Sequence, residues 1–120
     1  MRVTAELLRA KDACEDQVNM FESLFPEGVE ITQELCVKHA GDFDWNWAAK
    51  NFLPRRMWPG HAAKHVALWA DYMEARAPLW ADYAAERTSL AAFAADLAPL
   101  LADYKAKSAS LFGSLASQVP

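Results

Sequence analysis

An eleven-residue phrase recurs in the second half of this chain, as Leu68-Trp69-Ala70-Asp71-Tyr72, Leu79-Trp80-Ala81-Asp82-Tyr83 and, more loosely, Leu100-Leu101-Ala102-Asp103-Tyr104. Leu90-Ala91-Ala92-Phe93 stands where a further copy should begin, and Met57-Trp58 falls one period before the first. Eleven residues at about 100° each make three helical turns plus about 20°, so Leu68, Leu79 and Leu90 stay on nearly one face. The repeat is therefore helical. Leu68, Tyr72, Ala75, Leu79 and Tyr83 form its apolar stripe, Trp69 and Trp80 flank that stripe, and Asp71, Glu74 and Asp82 point elsewhere. A large aromatic side chain buries about 150–250 Å². Left bare, the Trp and Tyr of the repeats would exceed the ~400 Å² apolar patch that a soluble monomer usually tolerates. Another helix, a second copy or a foreign partner must cover them.

Chain breakers set the boundaries of the repeat region. Pro78 and Pro99 fall near the ends of repeats, each after an alanine. A proline inside a helix costs about 3 kcal/mol. Neither Ala77 nor Ala98 makes a good N-cap, so a kink is expected at each proline rather than an end. Thr88-Ser89 is the better turn, because either hydroxyl can cap the next helix. The expectation is one kinked helix from about His61 to Arg87 and another from about Ser89 to Leu111, paired as a hairpin whose aromatic stripes face each other.

The first half reads as short helices. Thr4 is a candidate N-cap for a helix over Ala5 to about Ala10. Asp12 with Glu15 three residues on has the form of a capping box for a second helix, Ala13 to Leu24, whose inward face is Cys14, Val18, Phe21 and Phe25. Pro26-Glu27-Gly28 stops it. Val29-Glu30-Ile31 is too short to found a sheet. Thr32 caps a third helix through Leu35, Cys36 and His39, up to Gly41. Asp44 caps a fourth, with Trp45, Ala48, Ala49 and Phe52 inward and Pro54 closing it. These boundaries give an all-α protein with a short-helix module over residues 1–54, a hinge over 55–60, a repeat hairpin over 61–112 and a tail over 113–120.

Charge and cysteine usage exclude some functions. With 120 residues, 53% of them hydrophobic, the chain can bury a real core. The formal net charge is -4, and no basic cluster exceeds Arg55-Arg56, which argues against nucleic-acid binding by phosphate neutralisation. No stretch approaches the ~20 apolar residues of a membrane span, and the first residues lack the apolar core of a secretory signal. A cytoplasmic location is therefore expected, with Cys14 and Cys36 reduced and buried.

The run Ala13-Cys14, Phe21, Phe25-Pro26, Thr32, Leu35-Cys36-Val37-Lys38-His39-Ala40, Phe43-Asp44-Trp45-Asn46-Trp47-Ala48-Ala49 and Leu53, followed by repeats carrying Ala-Asp-Tyr and Arg-Ala-Pro, resembles a group of small phage and prophage proteins without an established activity. The resemblance implies a phage origin, a place in the host cytosol and a non-enzymatic role. The copy at Leu90 lacks the Asp-Tyr of the others, and the tail has none of the pattern.

Three kinds of site are conceivable. Cys36 with His39, three apart, and His61 with His65, four apart, each put two ligands on one helix face, as a tetrahedral zinc site needs. An enzyme is not expected: Gly occurs four times and always singly, no Ser stands in a nucleophile-elbow context, and no orienting group is evident for Cys14 or Cys36 with His39. The aromatics are the strongest signal, because Trp, Tyr and Arg anchor interfaces. Trp58, Trp69, Tyr72, Arg76, Trp80 and Tyr83 are the candidate partner-binding residues. The function expected is a cofactor-free protein-binding module, an inhibitor of a host or defence protein in the manner of an anti-CRISPR. A structural homo-oligomer of a phage particle or scaffold is the first alternative, and a zinc-stabilised helical domain is the second.

Overall fold

A computed structural model describes residues 1–120. It is an all-α fold of six helices. Four short ones come first: α1 (Ala5–Ala10), α2 (Glu15–Leu24), α3 (Gln33–Lys38) and α4 (Trp45–Phe52). A 3-10 turn over Arg55–Met57 leads directly into α5 (Trp58–Ala84), and α6 (Leu90–Ala116) returns antiparallel to it. Two-residue strands β1 (Arg2–Val3) and β2 (Val29–Glu30) add one small antiparallel ladder, pairing Arg2 with Glu30 and Val3 with Val29. The Val29 stretch thus founds no sheet alone, but it has a partner at the start of the chain.

Four of the expected caps form. Thr4 accepts from the Leu7 amide at 3.2 Å, Thr32 from the Leu35 amide at 3.2 Å and Asp44 from the Trp47 amide at 3.0 Å. Ser89 does the same for α6, accepting from the Ala92 amide at 3.1 Å. The capping box at Asp12 does not form. Asp12 has a φ of 58°, and its backbone belongs to the end of α1: its amide donates to Arg9 O at 3.1 Å and that of Ala13 to Leu8 O at 3.0 Å. This is a Schellman closure, with Asp12 holding the left-handed position. Cys14 takes the N-cap place of α2 instead, without a side-chain bond, and its side chain is exposed rather than buried. The α5–α6 turn repeats the device at Glu86, also at φ 58°, with Glu86 N bonding Tyr83 O at 3.0 Å and Arg87 N bonding Asp82 O at 2.9 Å.

Both prolines lie inside uninterrupted helices. Each withholds an amide from the carbonyl four residues earlier, Glu74 for Pro78 and Ala95 for Pro99. All four residues are exposed, so water serves those carbonyls and the helices continue.

The supposed tail is the main correction to the domain reading. α6 passes Leu111 and continues to Ala116, and Ala109, Phe112 and Ala116 join Val3, Leu8, Val18, Phe21 and Cys36 in one core. Residues 113–116 therefore belong to the interior, and the module of residues 1–54 closes around the end of the hairpin. Gly113 makes this possible. A Cβ built there would lie 2.7 Å from Gln33 Cα and 3.1 Å from Cys36 Sγ, so α3 and α6 touch backbone to backbone. The eleven-residue pattern ends here because α6 exchanges α5 for α3 as its neighbour, and that contact wants small residues.

Gly113→Ala should lose about 2 kcal/mol in urea unfolding, since overpacking against backbone outweighs a helix-propensity gain of about 1 kcal/mol. Gly60→Ala, with nothing within 4 Å of its Cβ position, should be neutral or slightly stabilising. Glu86→Gly should gain about 1 kcal/mol by relieving the left-handed backbone, read as a higher melting temperature.

Candidate functional site: the aromatic hairpin

Tyr72 and Tyr83 are eleven residues apart on α5, and Phe93 and Tyr104 are eleven apart on α6. The antiparallel hairpin sets these two spacings against each other. Tyr72 meets Tyr104 with ring centres 5.3 Å apart, and Tyr83 stacks on Phe93 at 5.0 Å. A tryptophan completes each pair: Trp69 lies 5.6 Å from Tyr72 and 5.5 Å from Tyr104, and Trp80 lies 5.9 Å from both Tyr83 and Phe93. The degenerate copy at Leu90 has Ala94 at the tyrosine position and carries its ring one residue earlier, as Phe93, which is eleven residues before Tyr104 and pairs with Tyr83.

The candidate residues divide by exposure. Tyr72 is 8% exposed and Tyr83 half-buried, so the tyrosine rings are turned into the hairpin. The tryptophans do not close in. Trp58, Trp69 and Trp80 retain 38%, 47% and 49% of their surface, one every eleven residues along α5 and hence about 16 Å apart. Arg76 lies over the Trp80 ring at 5.6 Å and Arg55 over Trp58 at 5.5 Å. The Trp58 indole N–H is satisfied by Leu53 O at 3.0 Å. Val66, 65% exposed, adds to the same stripe, and Leu90, 64% exposed, caps the hairpin tip; periodicity alone singled out neither as exposed.

The base of the hairpin carries the histidines. His61 is 6% exposed, and its Nε2 has no hydrogen-bond partner. It stacks on His65 at 5.8 Å. His65 Nε2 is 2.9 Å from the Tyr104 hydroxyl. Burial, then Asp44 and Tyr72, push that hydroxyl above its ordinary value of 10.0, and the direction of the bond follows the His65 tautomer. Burial chiefly, then His65 and Lys50, hold His61 below the ordinary 6.5.

The zinc candidates are not brought together, and no three His, Cys, Asp or Glu side chains form a metal-sized cluster. Cys36 faces Gly113 at the α3–α6 contact, fully buried, with its thiol pushed up to about 12 by burial. His39 turns the other way, its Nδ1 2.9 Å from Asp42 Oδ2. Asp42 is the orienting carboxylate that the sequence did not reveal. Cys36, His39 and Asp42 nevertheless make no nucleophilic triad, because burial keeps the thiol protonated and no hydrogen bond joins it to the imidazole.

No family model, curated protein or solved structure matches this chain. No helix is long and apolar enough to cross a membrane.

The His61 shift fixes a pH dependence. The folded state holds His61 neutral, while the unfolded imidazole takes up a proton near pH 6.5, so the unfolded state binds more protons as pH falls. This contribution is complete above pH 6.5 and is lost on acidification through the lower folded value. Melting temperatures from about pH 7 to about pH 5 should fall more steeply for the wild type than for His61→Leu. Parallel curves would remove His61 as the source.

Proposed function

We propose that this chain is a non-enzymatic protein-binding module that docks a partner along the tryptophan stripe of α5. One observation carries the reading: Trp58, Trp69 and Trp80 stay about half exposed at regular intervals while their tyrosine neighbours are spent inside. Tryptophan with arginine beside it is the composition of interface hot spots, and Arg55 and Arg76 already sit on two of the rings. Pre-packed indoles also lose little side-chain freedom on binding. The resemblance to phage proteins directs the proposal towards a host or defence protein, blocked by occlusion of its surface in the manner of an anti-CRISPR.

A second reading is favoured by the thinness of the arm. From Met73 to Lys107 no residue is fully buried, so two hairpins could complete each other as a four-helix bundle. That homo-oligomer would use the same tryptophans.

Native mass spectrometry separates the two readings, because a concentration-independent monomer removes the oligomer. For the docking reading, Trp69→Ala and Trp80→Ala should each keep the helical circular dichroism spectrum and weaken retention of the captured partner about 30-fold or more. Retention unchanged in the double variant would end this proposal.

A further inference from the structure

The short-helix module holds an apolar cavity of about 290 Å³, to which the hairpin contributes Phe112 of α6 and the tryptophan stripe nothing. All its elements contribute wall, and 15 of the 18 lining residues are hydrophobic. Protein interiors normally pack to the density of organic crystals, and space of this size forfeits contacts that a close-packed module would make. It is not sealed. Phe25, Leu35, Phe43, Trp47 and Phe52 are half-buried at its wall, which leaves a way in, while Ala48 presents only a methyl where a larger side chain would fill the space.

Of the ring nitrogens in the wall, Trp45 Nε1 donates to Ala40 O at 3.1 Å, and the two left open are the Trp47 indole N–H, a donor, and one nitrogen of His39, the acceptor of the pair. Gln17 is spent at both ends of its amide, donating from Nε2 to Asp42 O at 3.1 Å and accepting at Oε1 from the Asp44 amide at 3.2 Å. Asp44 caps α4 from the exposed rim. His39 differs. The Asp42 carboxylate can only accept, so Nδ1 carries the hydrogen of that 2.9 Å bond, and Nε2 is the acceptor of the neutral ring. Nε2 has no partner within the protein.

The rings of the wall set the shape of a guest. Phe21 meets Phe43 at 63°, Phe25 meets His39 at 83° and Phe43 meets Trp45 at 80°, an edge-to-face chain that a flat aromatic molecule extends. An apolar cavity of about 150 Å³ takes up benzene. This one is nearly twice that volume.

We propose that the cavity is a binding site for a small bicyclic aromatic compound carrying one N–H or O–H donor, which His39 Nε2 accepts. Indole and benzofuran are the probes, since they share size and shape and only indole carries the donor. In amide-resolved NMR titrations of the full chain, both should give saturable shifts confined to the cavity wall, with indole about fivefold tighter. His39→Leu should erase that preference and keep benzofuran binding. Ala48→Phe and Leu35→Trp, two independent ways of filling the space, should abolish both. Absence of saturable binding by the wild type overturns the site, as does unchanged binding in a filled variant that retains the wild-type circular dichroism spectrum. Equal affinity of the wild type for the two probes overturns the role of His39 and the donor requirement.

Discussion

The close approach of α3 and α6 at Gly113 is the contact on which the rest of the structure depends. Four helices of six to ten residues cannot sustain themselves in water, because nucleation outweighs the few bonds each one makes. They need a longer element to pack against, and the last turns of α6 supply it. A side chain at Gly113 would hold α3 away, expose Cys36 and open the contact of Phe112 with Trp45, whose rings lie 5.8 Å apart. The same helix therefore serves two neighbours, α5 along most of its length and the module at its end.

That double role explains what the sequence showed and what it hid. The hairpin was legible because one period governs both helices, and the facing of its aromatic stripes comes from matched eleven-residue spacings. Thr4, Thr32, Asp44 and Ser89 were legible as caps because a hydroxyl or carboxylate before an apolar run has few other uses. Asp12 misled, since a non-glycine residue in the left-handed region leaves no mark in sequence and the capping box looked the better use of its carboxylate. Leu111 to Ala116 misled for another reason: a pattern defined by one partner cannot report a change of partner.

The candidate site was legible in its residues but not in their division of labour. Trp and Tyr alternate within one phrase, and both are interface formers, so periodicity placed Tyr72 and Trp80 together. Packing separates them. The tyrosines sit on the hairpin axis and pair with rings of α6, whereas Trp69 and Trp80, one residue on from the stripe leucines, meet rings of α6 at steep angles and stay about half exposed. Aromatic density in the short-helix module read as core, and much of it is core. Only the side-chain geometry shows that the rings around Phe43 line a space rather than fill it, and that Asp42 leaves one nitrogen of His39 free.

Stability is distributed unevenly as a result. Fully buried residues gather in the module and in the last turns of α6, while from Met73 to Lys107 the arm has none. Its helices rest on alanine-rich helix propensity, on the two ring clusters and on the closure at Glu86. Such a segment opens locally at lower free energy than the body to which it is attached. A partner bound along α5 would bury the tryptophan faces where the fold is thinnest, and would stabilise the arm by its affinity for the closed hairpin over the open one. The prolines fit this division. In the packed base either one would leave a buried carbonyl unserved, whereas on the wet outer face of the arm the lost hydrogen bond is replaced by water.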